Sequence, residues 1–293
     1  MNQRRVLVTG AAGFIGEHLC RRLANDGAFV HGAGRGAAPS FVHGWSQGDL
    51  RDAATLRRAF DDAAPEIVFH LAGIASGSRD LHAVAATLET NLVLSVSVLT
   101  EAVRHGSPRV ILAGSLEEPE ADDAAAISPY AAAKHAQLTY ARMFHTLYRL
   151  PVVTARLFMV YGPNQDGRKL IPYVIKSLLH GDAPALSSGQ REVDWVYVDD
   201  AAAALLRLGT ASGIEGRSID VGSGELASIR TVVELLAEII APEARIDFGV
   251  RPDRPFERVR TADATATEAL IGWRARTPLR EGLEKTVAWY RQR

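Results

Sequence analysis

Residues 6–16 read VLVTGAAGFIG, an apolar, β-favouring run that passes through Gly10, Gly13 and Gly16 directly into a helical pattern. No other stretch constrains the fold as much. Glycines at such a turn allow a tight bend and a close approach of the backbone to a pyrophosphate, whose charge the first N–H groups of the helix stabilise. Gly-rich turns also occur for packing alone, but a strand before, a helix after and a place near the N-terminus together match a dinucleotide fingerprint. Gly10, Gly13, Phe14, Ile15 and Gly16 are the first candidate cofactor-binding residues.

Short Val/Ile/Leu/Phe runs then alternate with helical patterns: strand 5–9, helix 13–26, strands 28–33 and 42–47, helix 52–62, strand 66–71, helix 80–105 and strand 109–113. This alternation predicts an α/β fold built of right-handed βαβ units on a parallel sheet. After RLPVVTARLF (149–158) the order loosens, with Pro or Gly at 162, 163, 167, 172, 181, 184 and 189, and a smaller second lobe is expected there. Alanine clusters at 124–126, 131–133 and 201–204 are read as helix-favouring filler at or near helix starts.

The 293-residue chain is 47% hydrophobic, enough for a large core, and its formal net charge of -1 comes with Lys and Arg scattered throughout. No basic tract argues for a nucleic-acid or membrane partner. Cys20 is the sole cysteine, which excludes a disulfide framework and a thiolate metal cluster, and no metal is expected. No signal-peptide pattern opens the chain and no apolar run approaches the ~20 residues that span a bilayer, so a cytoplasmic location is expected.

The second strand bears on cofactor choice. A carboxylate at its end would accept hydrogen bonds from the ribose hydroxyls of NAD(H), but AFVHGAGRGAAPS (28–40) offers Gly34 and then Arg35. A guanidinium pairs with a 2′-phosphate that a carboxylate would repel, so NADP(H) is expected over NAD(H), with Arg35 as the discriminating residue.

In SPYAAAKH (128–135), Ser128 suits a helix N-cap and Pro129 its first turn, and Tyr130 and Lys134 lie four residues apart on one helix face. An ammonium, together with an oxidised nicotinamide ring, lowers a phenol's pKa and makes Tyr130 usable as an acid or base. AGSLEEPE (113–120) ends a strand with Ser115, a hydroxyl placed to meet the same substrate atom.

With these motifs in hand, the chain resembles the extended short-chain dehydrogenase/reductase superfamily of nucleotide-sugar epimerases, dehydratases and ketoreductases. The likeness runs through TGAAGFIG, GDLRD (48–52), VFHLAG (68–73), NLVLS (91–95), SPYAAAK, ARLFMVYGPNQ (155–165), VDWVYVDDAA (193–202) and LIGWRARTPLREGLEKTVAWY (270–290). It implies a Rossmann doubly wound parallel sheet over residues 1–162, with a return segment near 195–222, and a smaller C-terminal α/β substrate lobe over 163–293. It implies that Ser115 hydrogen-bonds the reacting oxygen, Tyr130 is the acid/base and Lys134 orients the nicotinamide ribose. Asp49 and Leu50 would flank adenine, and Leu71, Ala72 and Gly73 would line the middle of the cofactor.

Several departures concern the reaction. Glu117, a further candidate catalytic residue, stands near where dehydratases carry an acid that can remove the C5 proton, but Leu116 replaces the Asp that often pairs with it; some dehydratases retain only the Glu and certain 4-keto-6-deoxyhexose reductases also carry Ser followed two places later by Glu, so both readings stay open. EPE (118–120) replaces the usual Val-Tyr-Gly, and Glu118 and Glu120 are expected to be solvated. Met159 and Val193 replace an Asn and an Arg that help to grip the substrate, leaving Arg191 and Arg251 as candidate phosphate ligands. His70 is expected to pack rather than to catalyse.

The expected function is NADPH-dependent reduction of an NDP-4-keto-(6-deoxy)hexose. The alternatives are an NAD(P)-dependent 4-epimerase or 4,6-dehydratase and, remotely, a non-catalytic dinucleotide-binding protein. A homodimer is expected through helices 80–105 and 129–149, the latter carrying the apolar stripe Ala133, Ala136, Tyr140, Phe144 and Leu147.

Overall fold

The structure, a computed structural model, describes residues 1–120 and 125–293. The chain runs β1 (Arg5–Thr9), α1 (Phe14–Asn25), β2 (Phe29–Gly34), β3 (Gly44–Gln47), α2 (Ala53–Ala63), β4 (Ile67–His70), α3 (Ala83–Thr87), a π-helical segment (Leu88–Val93), α4 (Leu94–Arg104), β5 (Arg109–Ser115), α5 (Pro129–Tyr148) and β6 (Val152–Leu157). It continues with β7 (Met159–Tyr161), α6 (Leu170–His180), β8 (Glu192–Tyr197), α7 (Val198–Thr210), β9 (Ser218–Val221), β10 (Leu226–Ser228), α8 (Ile229–Ile240), α9 (Ala264–Ile271) and α10 (Leu279–Arg291). Two compact units interleave in sequence: 1–157 with 202–220 and 266–273, and 158–201 with 221–265 and 274–293.

The first unit is built on a sheet of order β3-β2-β1-β4-β5-β6-β9, in which β1 pairs in parallel with both β2 and β4. The chain leaves β1 toward β2 on one side and returns to β4 on the other. That reversal is a topological switch point, and the crevice at the carboxyl ends of β1 and β4 is where an open α/β sheet binds ligands. Continuous burial of Val6, Leu7 and Val8, and of Val68 and Phe69, follows from helices covering both faces of these strands. One cluster packs Leu7, Val68, Val110 and Leu112 against Leu56 and Phe60 of α2, Val98 and Leu99 of α4 and Phe144 of α5. Each such side chain, fully buried, contributes about 1.5–3 kcal/mol.

Local signals place the helices. Ser128 accepts from the Ala131 N–H at 3.0 Å with Pro129 in the first turn of α5, and Asp52 accepts from the Thr55 N–H at 2.9 Å to start α2. Of the alanine cluster at 124–126, Ala125 and Ala126 are irregular rather than helical, and Ala124 lies outside the described residues.

Residues Ala83–Arg104 form one continuous helical run with a mean hydropathy of 1.5 over an 18-residue window, long and apolar enough to cross a membrane by length and composition. This departs from the expectation that no run approaches that length. One side of the run is packed inside the first unit through Asn91, Ser95, Val98, Leu99 and Ala102. The stripe on α5 divides as well: Ala133 and Phe144 are buried, whereas Tyr140 and Leu147 are 40% and 65% exposed. Packing against the sheet takes only part of it.

In the second unit β8 pairs antiparallel with β10 and parallel with β7, and α6, α8 and α10 pack on one another. At its centre the Asp194 carboxylate, 1% exposed, accepts from the Ser223 N–H and Oγ, both at 2.7 Å, the Gly224 N–H at 3.0 Å and the Ala262 N–H at 2.9 Å. One side chain thereby ties three separate segments together.

Candidate active site

The glycine turn has the conformation its sequence calls for. Gly10 is left-handed at φ +71°, and a Cβ there would stand 2.8 Å from the Ala72 N and 2.9 Å from the Leu71 carbonyl carbon. A Cβ on Gly16 would run into the Gly10 carbonyl oxygen. Helix α1 begins after Gly13 with no side-chain cap, so its leading N–H groups are presented without a competing side-chain acceptor. Gly10 thus meets Leu71 and Ala72 at the carboxyl ends of β1 and β4, with Gly73 following, and Gly13, Phe14, Ile15 and Gly16 continue from it into the first turn of α1. This cradle, which any side chain at Gly10 or Gly16 would fill, fits a dinucleotide's pyrophosphate.

Beyond β2, Gly34 is half-buried and Arg35 exposed. Asp49 receives the Arg51 Nη2 at 2.6 Å, and this hydrogen bond, more than the positive charge of Arg35, holds its carboxyl down at about 2. Leu50 is buried beside it. Asp49, Arg51, Asp52, Glu89, Val93, Leu94 and Ser97 line a surface recess.

At the end of β5 the structure assembles Ser115, Tyr130 and Lys134. The Ser115 side chain acts on the Tyr130 phenol so as to ease its ionisation, and Lys134 Nζ lies 6.0 Å from the centre of the tyrosine ring. Lys134, 4% exposed, donates to the Ala113 carbonyl at 2.7 Å and to Gln137 Oε1 at 3.0 Å. Desolvation pulls its ammonium down to about 8, against the opposing pull of Glu118. Desolvation pushes the Tyr130 phenol up to about 12, with Glu117 and Glu118 adding to the rise and the Ser115 hydrogen bond resisting it. The lowering expected from Lys134 is therefore not supplied by the protein alone, since the nearby carboxylates and burial outweigh the ammonium.

Glu117 is partly committed: its Oε2 accepts from the Ser128 hydroxyl at 3.2 Å, and its N–H faces Ser115 Oγ at 3.2 Å. Glu118, expected in solvent, is instead 3% exposed. A turn folds it back so that Oε1 accepts from the Ser115 N–H at 2.8 Å, and Oε2 lies 3.3 Å from Arg156 Nε. The residue-by-residue pattern of EPE carries no sign of this, because the partner Arg156 is 38 residues away.

A second feature that sequence reasoning missed is a buried polar chain behind Lys134. Thr9 Oγ1 meets His70 Nδ1 at 2.7 Å, His70 Nε2 meets Ser95 Oγ at 2.9 Å, and Ser95 Oγ donates to Gln137 Oε1 at 3.0 Å. Burial, and then the charge of Lys134, pull His70 down to about 3, so the ring is neutral and bonded at both nitrogens. His70 packs, as expected, but as a hydrogen-bonded link between the β1 turn and the lysine. Gln137 had a legible signal: with Tyr130 and Lys134 it completes an i, i+4, i+7 face. Asn91, in the π-helical segment, accepts from the Ile74 N–H at 2.7 Å and donates to the Ile74 carbonyl at 2.8 Å, pinning the loop that follows Gly73.

Within the second unit, Arg191 Nη1 pairs with Glu257 at 2.9 Å, and exposed Arg251 lies over the Tyr173 ring at 5.5 Å. Among the described residues no group of three or more His, Cys, Asp or Glu side chains is arranged to hold a metal ion.

Residues 6–222 match the family model of the NAD dependent epimerase/dehydratase family. The dTDP-glucose 4,6-dehydratase of Shigella flexneri is 30% identical over 335 residues, covering 98% of this chain and 92% of the relative. Among solved structures, the UDP-glucose 4-epimerase of Thermotoga maritima, determined with UDP-glucose, superposes with a TM-score of 0.88 at 26% identity, covering 100% of this chain and 99% of that one. The Bordetella bronchiseptica enzyme WbmF, in complex with NADH, gives 0.88 at 25% identity over 99% of this chain and 93% of that one. The chain belongs to the NAD-dependent epimerase/dehydratase family and is an enzyme of the extended short-chain dehydrogenase/reductase type.

Proposed function

We propose that this enzyme uses a nicotinamide dinucleotide to transfer hydride at C4 of a nucleoside-diphosphate hexose, and that its reaction is NADPH-dependent reduction of an NDP-4-keto-(6-deoxy)hexose. The Gly10–Gly16 turn, with Leu71 and Ala72, holds the cofactor, which supplies the hydride. Ser115 donates a hydrogen bond to the C4 oxygen, Tyr130 delivers the proton that oxygen needs as it becomes an alkoxide, and Lys134 orients the ribose. Arg191 and Arg251 recognise the diphosphate, and exposed apolar residues of the 83–104 run and of α5 pair two copies in a cytoplasmic homodimer.

The observation that carries the reductive reading is Arg35, an exposed guanidinium immediately after β2 where a carboxylate would select the unphosphorylated ribose. The engagement of Glu117 with Ser128, and Leu116 beside it, disfavour acid/base work at C5.

A 4-epimerase or 4,6-dehydratase is the second reading, favoured by the dehydratase and epimerase relatives. The two differ in how they treat cofactor: an enzyme that returns its hydride within one cycle can retain the dinucleotide, whereas a reductase exchanges it every turnover. Denaturing fresh protein and identifying released dinucleotide by mass spectrometry separates them. An empty site that then takes up NADPH selectively supports the reductase, and near-stoichiometric NAD refutes it together with the role of Arg35.

A further inference from the structure

Glu118 is a buried acid that the scheme above leaves without a task. Its backbone N–H donates to the Ser115 carbonyl at 3.1 Å, closing a turn that sends its side chain back beneath the strand. Oε1 accepts from the Ser115 N–H at 2.8 Å, Oε2 faces Arg156 Nε at 3.3 Å, and Arg156 Nη1 continues to Asp220 at 2.7 Å. Both oxygens take donors, which favours the ionised carboxylate, against burial, the larger influence, which pushes the Glu118 carboxyl above its usual range.

The strand is shaped to receive this group. Gly114 pairs in register with Arg156, and a Cβ at 114 would stand 2.7 Å from Glu118 Oε1 and 2.7 Å from Thr154 Cγ2. The carboxylate occupies the place a side chain would take, directly below the serine. Charged and titratable groups face it from several elements: Arg156 from β6, Asp220 from β9 behind that arginine, Lys134 and Tyr130 from α5, and Glu117 from the same turn. The carboxylate favours the ammonium form of Lys134 and disfavours a phenolate at Tyr130.

We propose that Glu118 is a positioning residue of the Ser115–Tyr130–Lys134 site, fixing the Ser115 backbone through Oε1 and setting a buried carboxylate against Lys134 and Tyr130. Arg156 and Asp220 hold that carboxylate in place from the sheet. When ionised, Glu118 favours the ammonium form of Lys134 and adds, after burial and Glu117, to the cost of a phenolate at Tyr130. Through its hydrogen bond, it fixes the backbone of the serine that meets the reacting oxygen.

This inference rests on the assignment of Tyr130 as the proton carrier, but its test does not require the sugar to be right. Glu118→Gln keeps the shape and an acceptor for the Ser115 N–H while removing the charge. The Tyr130 phenol is titrated by ultraviolet difference absorbance in this variant and in the wild type, with the corresponding Tyr130→Phe protein subtracted from each. The Tyr130 midpoint is expected to fall by on the order of half a pH unit or more, since a nearby like charge has been removed. An unchanged midpoint overturns the proposal.

Glu118→Asp is the second variant and keeps the charge while shortening the reach to Ser115. Its midpoint is expected to stay near that of the wild type, while kcat for dTDP-4-keto-6-deoxyglucose with NADPH falls about tenfold and KM stays within about twofold, the pattern of a group acting on the chemical step. Should Glu118→Gln not fold, wild-type kcat in Glu118→Asp overturns the proposal. If the wild-type enzyme does not turn over this probe, the substrate assignment fails and the titration still decides the role of Glu118.

Discussion

Replacing Asp194 by Asn changes one oxygen to an amide nitrogen in a side chain of nearly the same shape, so its effect reports hydrogen bonding rather than a cavity. Asp194 accepts at Oδ1 from Ser223, through both its N–H and its hydroxyl, and at Oδ2 from the Gly224 and Ala262 N–H groups. Asparagine has a single oxygen and can satisfy one of these pairs. If it serves Ser223, its NH2 points at two backbone donors, and the Gly224 and Ala262 N–H groups lose their acceptor in a site that is 1% exposed. Each orphaned buried donor costs about 1–3 kcal/mol, so the substitution is expected to remove roughly 4 kcal/mol, a large share of the ~5–15 kcal/mol of a folded domain. Urea unfolding followed by tryptophan fluorescence is the assay, because Trp195, the next residue on β8, is anchored in the same unit by its Nε1 donating to the Ala227 carbonyl at 3.0 Å. A midpoint shift corresponding to less than ~1 kcal/mol would refute the idea that this carboxylate is the tie among the three segments.

Four further outcomes are expected. Tyr130→Phe should lower turnover by about 10²–10⁴-fold while leaving dinucleotide affinity within about threefold, and a variant with wild-type turnover excludes Tyr130 as the proton carrier. Arg35→Ala should weaken NADPH binding roughly tenfold or more and leave NADH unchanged, as read by fluorescence titration of both cofactors; equal effects on the two would remove the 2′-phosphate assignment. Arg251→Ala should raise KM for the nucleotide sugar with kcat little altered, and an unchanged KM withdraws Arg251 from the diphosphate site. His70 is neutral in the fold, pulled down to about 3 from the 6.5 of an exposed imidazole, so between those values the unfolded chain binds a proton that the folded chain refuses. Its contribution is intact above pH 6.5 and is lost on acidification toward 3; between pH 7 and 5 the loss is about 2 kcal/mol, at ~1.4 kcal/mol per pH unit. Unfolding free energies of the wild type and His70→Asn at those two pH values test this, and parallel pH dependences would contradict it.

Features that depend on neighbours within one or two turns of chain are legible in the amino-acid order alone. The alternation of apolar runs with helical patterns marks β1 to β5, Gly10 and Gly16 declare a turn that tolerates no Cβ, Ser128 and Pro129 announce the start of α5, and the four-residue spacing of Tyr130 and Lys134 puts both on one face. Each follows from backbone sterics, capping or helical periodicity, which act over short separations. The remaining features arise from contacts between segments far apart in the chain. Glu118 lies in a polar turn and reads as solvated, yet Arg156, 38 residues on, and the bare Gly114 make its burial tenable. The exchange of solvent for fixed donors likewise depends on residues brought together by the sheet for His70, whose partners are Thr9 and Ser95, and for Asp194, which reaches Ala262 across 68 residues. The α5 stripe of five apolar residues was legible as a stripe, but only the packing assigned Phe144 to the core and left Leu147 outside. A buried charge is stable where distant donors converge on it, and no local pattern encodes that convergence.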